Sequence, residues 1–103
     1  MANTRYGFTP THPGEVLKDE IEYCGISQAR LAKQMGMSYK VLNDILNERR
    51  PLTTSTAMMF EAALNVPADS LMRLQLKYNM QAAQKDNKLL SRLAEIRKMV
   101  AVL

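Results

Sequence analysis

Eight side chains between positions 28 and 50 are of the types that bond to base edges and phosphates: Gln28, Ser38, Tyr39, Lys40, Asn43, Asn47, Arg49 and Arg50. Asparagine and lysine can pair with adenine or guanine edges in the DNA major groove, which is wide enough to admit one α-helix. Arg49 and Arg50 are neighbours, so two cations stand ready to clamp a flanking phosphate. Gln28 follows Ser27 at a helix start, where exposed amides attract phosphate. Residues 27–53 carry five cations against two carboxylates. One of those carboxylates, Asp44, falls on the same side and opposes an anionic partner. A solvated basic face accounts for the same counts without any ligand.

No other constellation has comparable chemistry. His12 is the one histidine, with no cluster of further ligands, and it reads as a helix-start residue. Cys24 is the one cysteine, which excludes an internal disulfide and any multi-cysteine metal site; it reads as a packed or half-exposed thiol rather than a nucleophile. Glu15, Asp19, Glu20 and Glu22 wind around the first helix as a solvated acidic face, or else meet a basic partner. A phosphate-cradling glycine loop is missing. The expectation is therefore no catalytic residue, no metal and no cofactor.

The elements that must position the eight side chains are helices. No segment alternates apolar and polar residues long enough for a strand, and Gly and Pro fall only at boundaries. Residues 1–11 read as an extended arm. Helix 1 starts at His12-Pro13, shows Val16, Leu17 and Ile21 inward, and stops at Gly25. Ser27 caps helix 2 and Ser38 caps helix 3. Each cap is flanked by a staple, Ile26 with Leu31 and Met37 with Leu42, which sets the entry angle. Gly36 separates the two helices. Such a pair joined by a short glycine turn is a helix-turn-helix. Val41, Leu42, Ile45 and Leu46 bury one side of helix 3, which bares the side carrying the candidate ligands. Pro51 cannot continue the helix. Helix 4 runs from Thr53 to about Asn65 with Ala57, Phe60, Ala63 and Leu64 inward. Helix 5 follows Pro67, and residues 81–87 are helix or hinge. Beyond them Leu89, Leu93, Ile96, Val100 and Leu103 recur every four and three residues, the seam of an amphipathic helix suited to a partner helix or to a groove on its own domain.

The chain has 103 residues and a net charge of +4, which fits one domain of 12–80 with an added helix in 81–103. Eight methionines and six aromatics without tryptophan point to a core in which methionine fills gaps. Residues 81–103 hold a second basic excess, five cations against two carboxylates. Neither a membrane span nor an export signal is evident, so a cytoplasmic address is expected.

The run SQARLAKQMGMSYKVLNDILNERRPLT, from Ser27 to Thr53, resembles the phage-repressor-like XRE class of helix-turn-helix proteins. With HPGEVL at 12–17, Leu52-Thr53 opening helix 4 and LMRLQLKYNM at 71–80, the order is similar to the HigA-type (VapI-like) antitoxins. The resemblance spans about residues 8–80. It implies an all-α, five-helix lambda-repressor-like domain, here with an additional C-terminal helix. It also implies a homodimer that represses its own operon on double-stranded operator DNA and neutralises a HigB-type, RelE-like messenger-RNA-cleaving toxin. The family's DNA contacts carry over to Gln28, Ser38, Tyr39, Lys40, Asn43, Asn47, Arg49 and Arg50. Leu71, Leu74, Tyr78, Leu89, Leu93 and Ile96 are the candidates for the dimer interface. Three departures stand out: Glu48 where glycine is usual, Asp44 in a place often taken by a basic residue, and Ser70-Leu71 in place of an often aromatic pair. A stand-alone repressor without a toxin, and a protein-interaction module that no longer reads DNA, remain as alternatives.

Overall fold

The computed structural model describes residues 11–102, which form six helices and no strand. These are α1 (Pro13–Cys24), α2 (Gln28–Met35), α3 (Tyr39–Leu46), α4 (Thr54–Leu64), α5 (Ala68–Gln84) and α6 (Asn87–Ala101). Their boundaries follow from local chemistry. Ser27 Oγ accepts the Arg30 N–H at 3.2 Å and Ser38 Oγ accepts the Val41 N–H at 3.1 Å, so both serines cap as their positions require. Gly36 ends α2 at φ +70°, and the Met37 N–H reaches back to the Ala32 carbonyl at 3.0 Å. That is a Schellman stop. The end of α3 has the same bonds, Glu48 N–H to Ile45 and Arg49 N–H to Asp44. There the left-handed residue is Glu48, at φ +64°. The position that the sequence resemblance assigns to glycine does need a glycine-like backbone, and a glutamate occupies it.

The opening His-Pro-Gly acquires a physical meaning. His12 is buried, and its Nδ1 accepts the Gly14 N–H at 2.9 Å, capping α1 while Pro13 takes the first helical position. A side chain on Gly14 would run into the Ile45 and Leu46 carbonyl oxygens, so its absence lets α1 sit directly on the last turn of α3. The edge of the His12 ring meets Tyr78 of α5 with ring centres 4.8 Å apart.

α1 packs on α3 and α5, α2 on α3 and α4, and α4 on α5. Their shared interior holds Leu17, Leu31, Leu42, Ile45, Phe60 and Leu71 among others. The segment joining α3 to α4 is pinned by Leu52, which is buried, and by Gln75 of α5, only 3% exposed. Gln75 Oε1 accepts the Leu52 N–H at 2.8 Å, and its Nε2 donates to Asn79 at 2.8 Å, so the buried amide is satisfied at both ends.

Several expectations need correction. None of the described methionines is buried: Met35, Met37 and Met72 edge the core, while Met58, Met59, Met80 and Met99 are exposed. The aliphatic residues and Phe60 fill the interior without them. Ala63 is exposed and Leu64 only half-buried. Leu71 is 1% exposed and belongs to the core, so it has no surface left for a dimer contact. Tyr78 is half-buried against His12.

The stretch after Met80 resolves as four more residues of α5 and a break at Lys85-Asp86, where the Asp86 side chain caps α6. α6 packs only on α5 among its principal neighbours and buries no residue. The described chain measures 58 × 37 × 21 Å with a radius of gyration of 17.3 Å. A compact chain of this length has about 13 Å. The excess fits α6 standing away from the other five helices.

Candidate nucleic-acid interface

The exposed side of α3, the first turn of α2 and the exit loop from α3 form one ridge. Gln28 and Asn43 are tied across the two helices, Asn43 Nδ2 donating to Gln28 Oε1 at 3.2 Å. Arg49 returns from the loop and its Nη2 donates to Asn43 Oδ1 at 2.8 Å. The side chains of Gln28, Asn43 and Arg49 thus hold one another in line before any ligand arrives. Ser38, Tyr39 and Lys40 lie exposed at the start of α3, and Arg50 is exposed beside Arg49.

Asp44 is the surprise. It points into this ridge with only 12% of its side chain exposed, and three cations converge on it. Lys40 Nζ lies 3.1 Å from one oxygen, Arg49 Nε 3.1 Å from the other, and Arg50 Nη2 at 3.8 Å. The hydrogen bonds from Lys40 and Arg49 hold its carboxyl below the usual aspartate range, so it is ionised at neutral pH. The anticipated conflict with an anionic partner is met inside the protein: one carboxylate is surrounded, and the outer faces of three cations remain in solvent. The side chains of Lys40, Arg49 and Arg50 are 80%, 58% and 48% exposed.

Asn47, expected among the DNA contacts, is engaged within the protein. Its Nδ2 donates to the Asn43 carbonyl at 2.9 Å, and its Oδ1 accepts from Lys18 Nζ at 2.9 Å. It closes the end of α3 and ties it to α1. Sequence patterns missed the structural roles of Lys18 and Gln75 and the closure of three cations over Asp44. Each acts across a sequence gap or at the rim of a buried face, where periodicity carries no signal. Elsewhere, Cys24 is an exposed free thiol, and no three His, Cys, Asp or Glu side chains gather as metal ligands among the described residues. No described helix is long and apolar enough to cross a membrane.

Two short helices fixed at their caps, with a cationic ridge on the second, define a helix-turn-helix protein. Residues 17–71 match the helix-turn-helix family, and the chain belongs to its XRE-type branch of HigA- and VapI-like proteins. It is 33% identical over 76 residues to virulence-associated protein I of Dichelobacter nodosus, covering 73% of this chain and 70% of that one. Its fold superposes on the Pseudomonas aeruginosa antitoxin HigA, solved with the higBA promoter, at a TM-score of 0.70 and 32% identity over 81% of this chain and 92% of that one. An addiction module antidote protein of a HigA family from Coxiella burnetii gives a TM-score of 0.70 at 28% identity, over 82% and 95% of the two chains.

Proposed function

We propose that this chain is the antitoxin of a type II toxin–antitoxin pair, which represses its own operon as a dimer on operator DNA and neutralises a HigB-type, RelE-like toxin in the cytoplasm. The observation that carries the DNA-binding half is the pre-assembled ridge of Gln28, Asn43 and Arg49, flanked by exposed Lys40 and Arg50. A reading helix needs side chains already aimed at base edges, with cations at its borders for phosphates. Ser38 and Tyr39 complete the approach at the start of α3. The relatives support the same assignment, since one of them was solved on promoter DNA and two carry antitoxin or antidote names.

In this scheme residues 12–80 read DNA and the helix within 81–103 adds an assembly surface. A single helix in one groove discriminates poorly, and paired half-sites lie about one helical turn or a multiple apart. The exposed apolar residues of α6 suit the second copy. The toxin half is tested by co-expression with the product of the neighbouring reading frame. A ribonuclease that co-purifies with this chain and loses its messenger-RNA cleavage is the expected result. Binding of the upstream DNA with no such partner leaves a stand-alone repressor; no binding of that DNA at low salt leaves an interaction module.

A further inference from the structure

One acidic residue in the middle of a DNA-facing ridge calls for a role beyond folding. We propose that Asp44 is a specificity-setting positioning residue, whose carboxylate restrains Lys40, Arg49 and Arg50 and so suppresses binding to arbitrary DNA more than binding to the operator. The inference rests on the DNA-binding function proposed above.

Sequence-independent binding is driven almost entirely by cations that neutralise phosphates and release counterions. Operator binding adds contacts to base edges, which depend on orientation. Asp44 acts on both quantities. Its two oxygens engage Lys40 and Arg49 at 3.1 Å and hold Arg50 within 3.8 Å, so every cation on this rim shares one internal anion. Each must loosen that contact to approach a phosphate closely. At the same time the bond to Arg49 Nε fixes one end of the guanidinium, while Nη2 is left to hold Asn43 Oδ1 at 2.8 Å. Asp44 thereby orients Asn43, a base-facing candidate, through Arg49. Phosphate grip goes down and alignment goes up, and the ratio between operator and arbitrary DNA rises on both counts.

The probes are a duplex bearing the sequence directly upstream of this chain's coding region and a shuffled duplex of equal length, each titrated with the full chain at several salt concentrations. Asp44→Asn keeps the shape and removes the charge. It is expected to bind the shuffled duplex roughly two- to fivefold more tightly at low salt, the scale of one exposed charge pair. Its salt dependence should steepen by about one in log–log slope. Its preference for the upstream duplex should fall by at least the same factor. Asp44→Glu retains the charge and should show neither the gain nor the steeper slope; Asp44→Ser, likewise uncharged, carries the same expected gain if Asp44→Asn does not fold. Overturning results are a gain on shuffled DNA with Asp44→Glu, or equal weakening on both duplexes with unchanged slope for Asp44→Asn, as a merely structural carboxylate gives. If the unaltered chain binds neither duplex, the DNA-binding function falls as well. If it binds the upstream duplex and Asp44→Asn behaves identically, only the role of Asp44 is lost.

Discussion

Glu48 shows how one backbone angle can set a local cost. A non-glycine residue at φ +64° crowds its own Cβ, and the surrounding Schellman bonds hold it there. Glu48→Gly is therefore expected to stabilise the fold by about 1 kcal/mol. In thermal unfolding that is a rise of roughly 5 °C for a domain of this size; a fall would show that the glutamate side chain contributes more than its backbone costs. The place for this residue was legible beforehand, since the resemblance put glycine there, whereas the bonds that enforce the angle were not. His12 gives a second residue-scale test. Burial lowers its pKa from the ordinary 6.5, with Glu48 and Glu15 opposing in part, and its Nδ1 must stay unprotonated to accept from Gly14. Below pH 6.5 the unfolded chain gains a proton that the folded chain refuses until lower pH. Stability is thus fully present above that value and declines as pH falls through the depressed pKa. Melting temperatures between about pH 7.5 and about pH 5, the range in which histidine titrates, should drop in the unaltered chain and drop less in His12→Asn, whose amide oxygen can still cap. Equal pH dependence in both would remove the histidine from the account.

At the scale of the element, the proposed DNA reading gives α3 and its exit loop two separable functions. Lys40 and Asn43 face outward from the helix itself, while Arg49 and Arg50 arrive from the loop beyond it. Lys40→Ala with Asn43→Ala should abolish the preference for the operator, at about 1–3 kcal/mol for each good base contact. Arg49→Ala with Arg50→Ala should weaken binding to any DNA and flatten the salt dependence by about two in log–log slope, with a further loss on the operator because Arg49 also aligns Asn43. Because Arg49 bonds to Asn43, the two pairs will not add, and the quadruple variant should lose less than their sum. Retention of operator binding in all variants would rule out α3 as the reading helix. Much of this element was readable from the chain: the serine caps, the glycine stop and the apolar set of 41, 42, 45 and 46 define which side faces out. Asp44 was not. It lies beside Val41 at the rim of the buried face, and its burial depends on Arg49 and Arg50 folding back over it, a contact that no helical period encodes. The same is true of Gln75, a polar residue at an apolar position whose partner, Leu52, lies far back along the chain.

For the whole molecule, the dimer proposed above requires a surface on which two copies meet, and α6 offers one. Leu89, Leu93 and Ile96 follow the coiled-coil spacing, with Leu93 half-buried and Ile96 exposed along with Val100. The flanking positions are Arg92 and Met99 on one side and Leu90 and Arg97 on the other. In a parallel pair Arg92 would stand beside the other copy's Arg97, two cations in contact. An antiparallel pair sets Arg92 near Met99 and Arg97 near Leu90, and leaves no like charges opposed. The antiparallel arrangement is therefore expected. Ile96→Glu should convert the dimer to monomer in sedimentation equilibrium, since each copy loses about 1.5–3 kcal/mol of apolar burial, and helical content should hold because the residue is exposed in the single chain. Arg97→Glu separates the two orientations. It would set a carboxylate against Arg92 and tighten a parallel dimer, but an antiparallel one gains nothing from it. An unchanged dissociation constant with Arg97→Glu, together with monomerisation by Ile96→Glu, fixes the antiparallel geometry. A dimer indifferent to both would move the interface off α6 and onto the domain, where Leu74 and Tyr78 are the half-buried candidates.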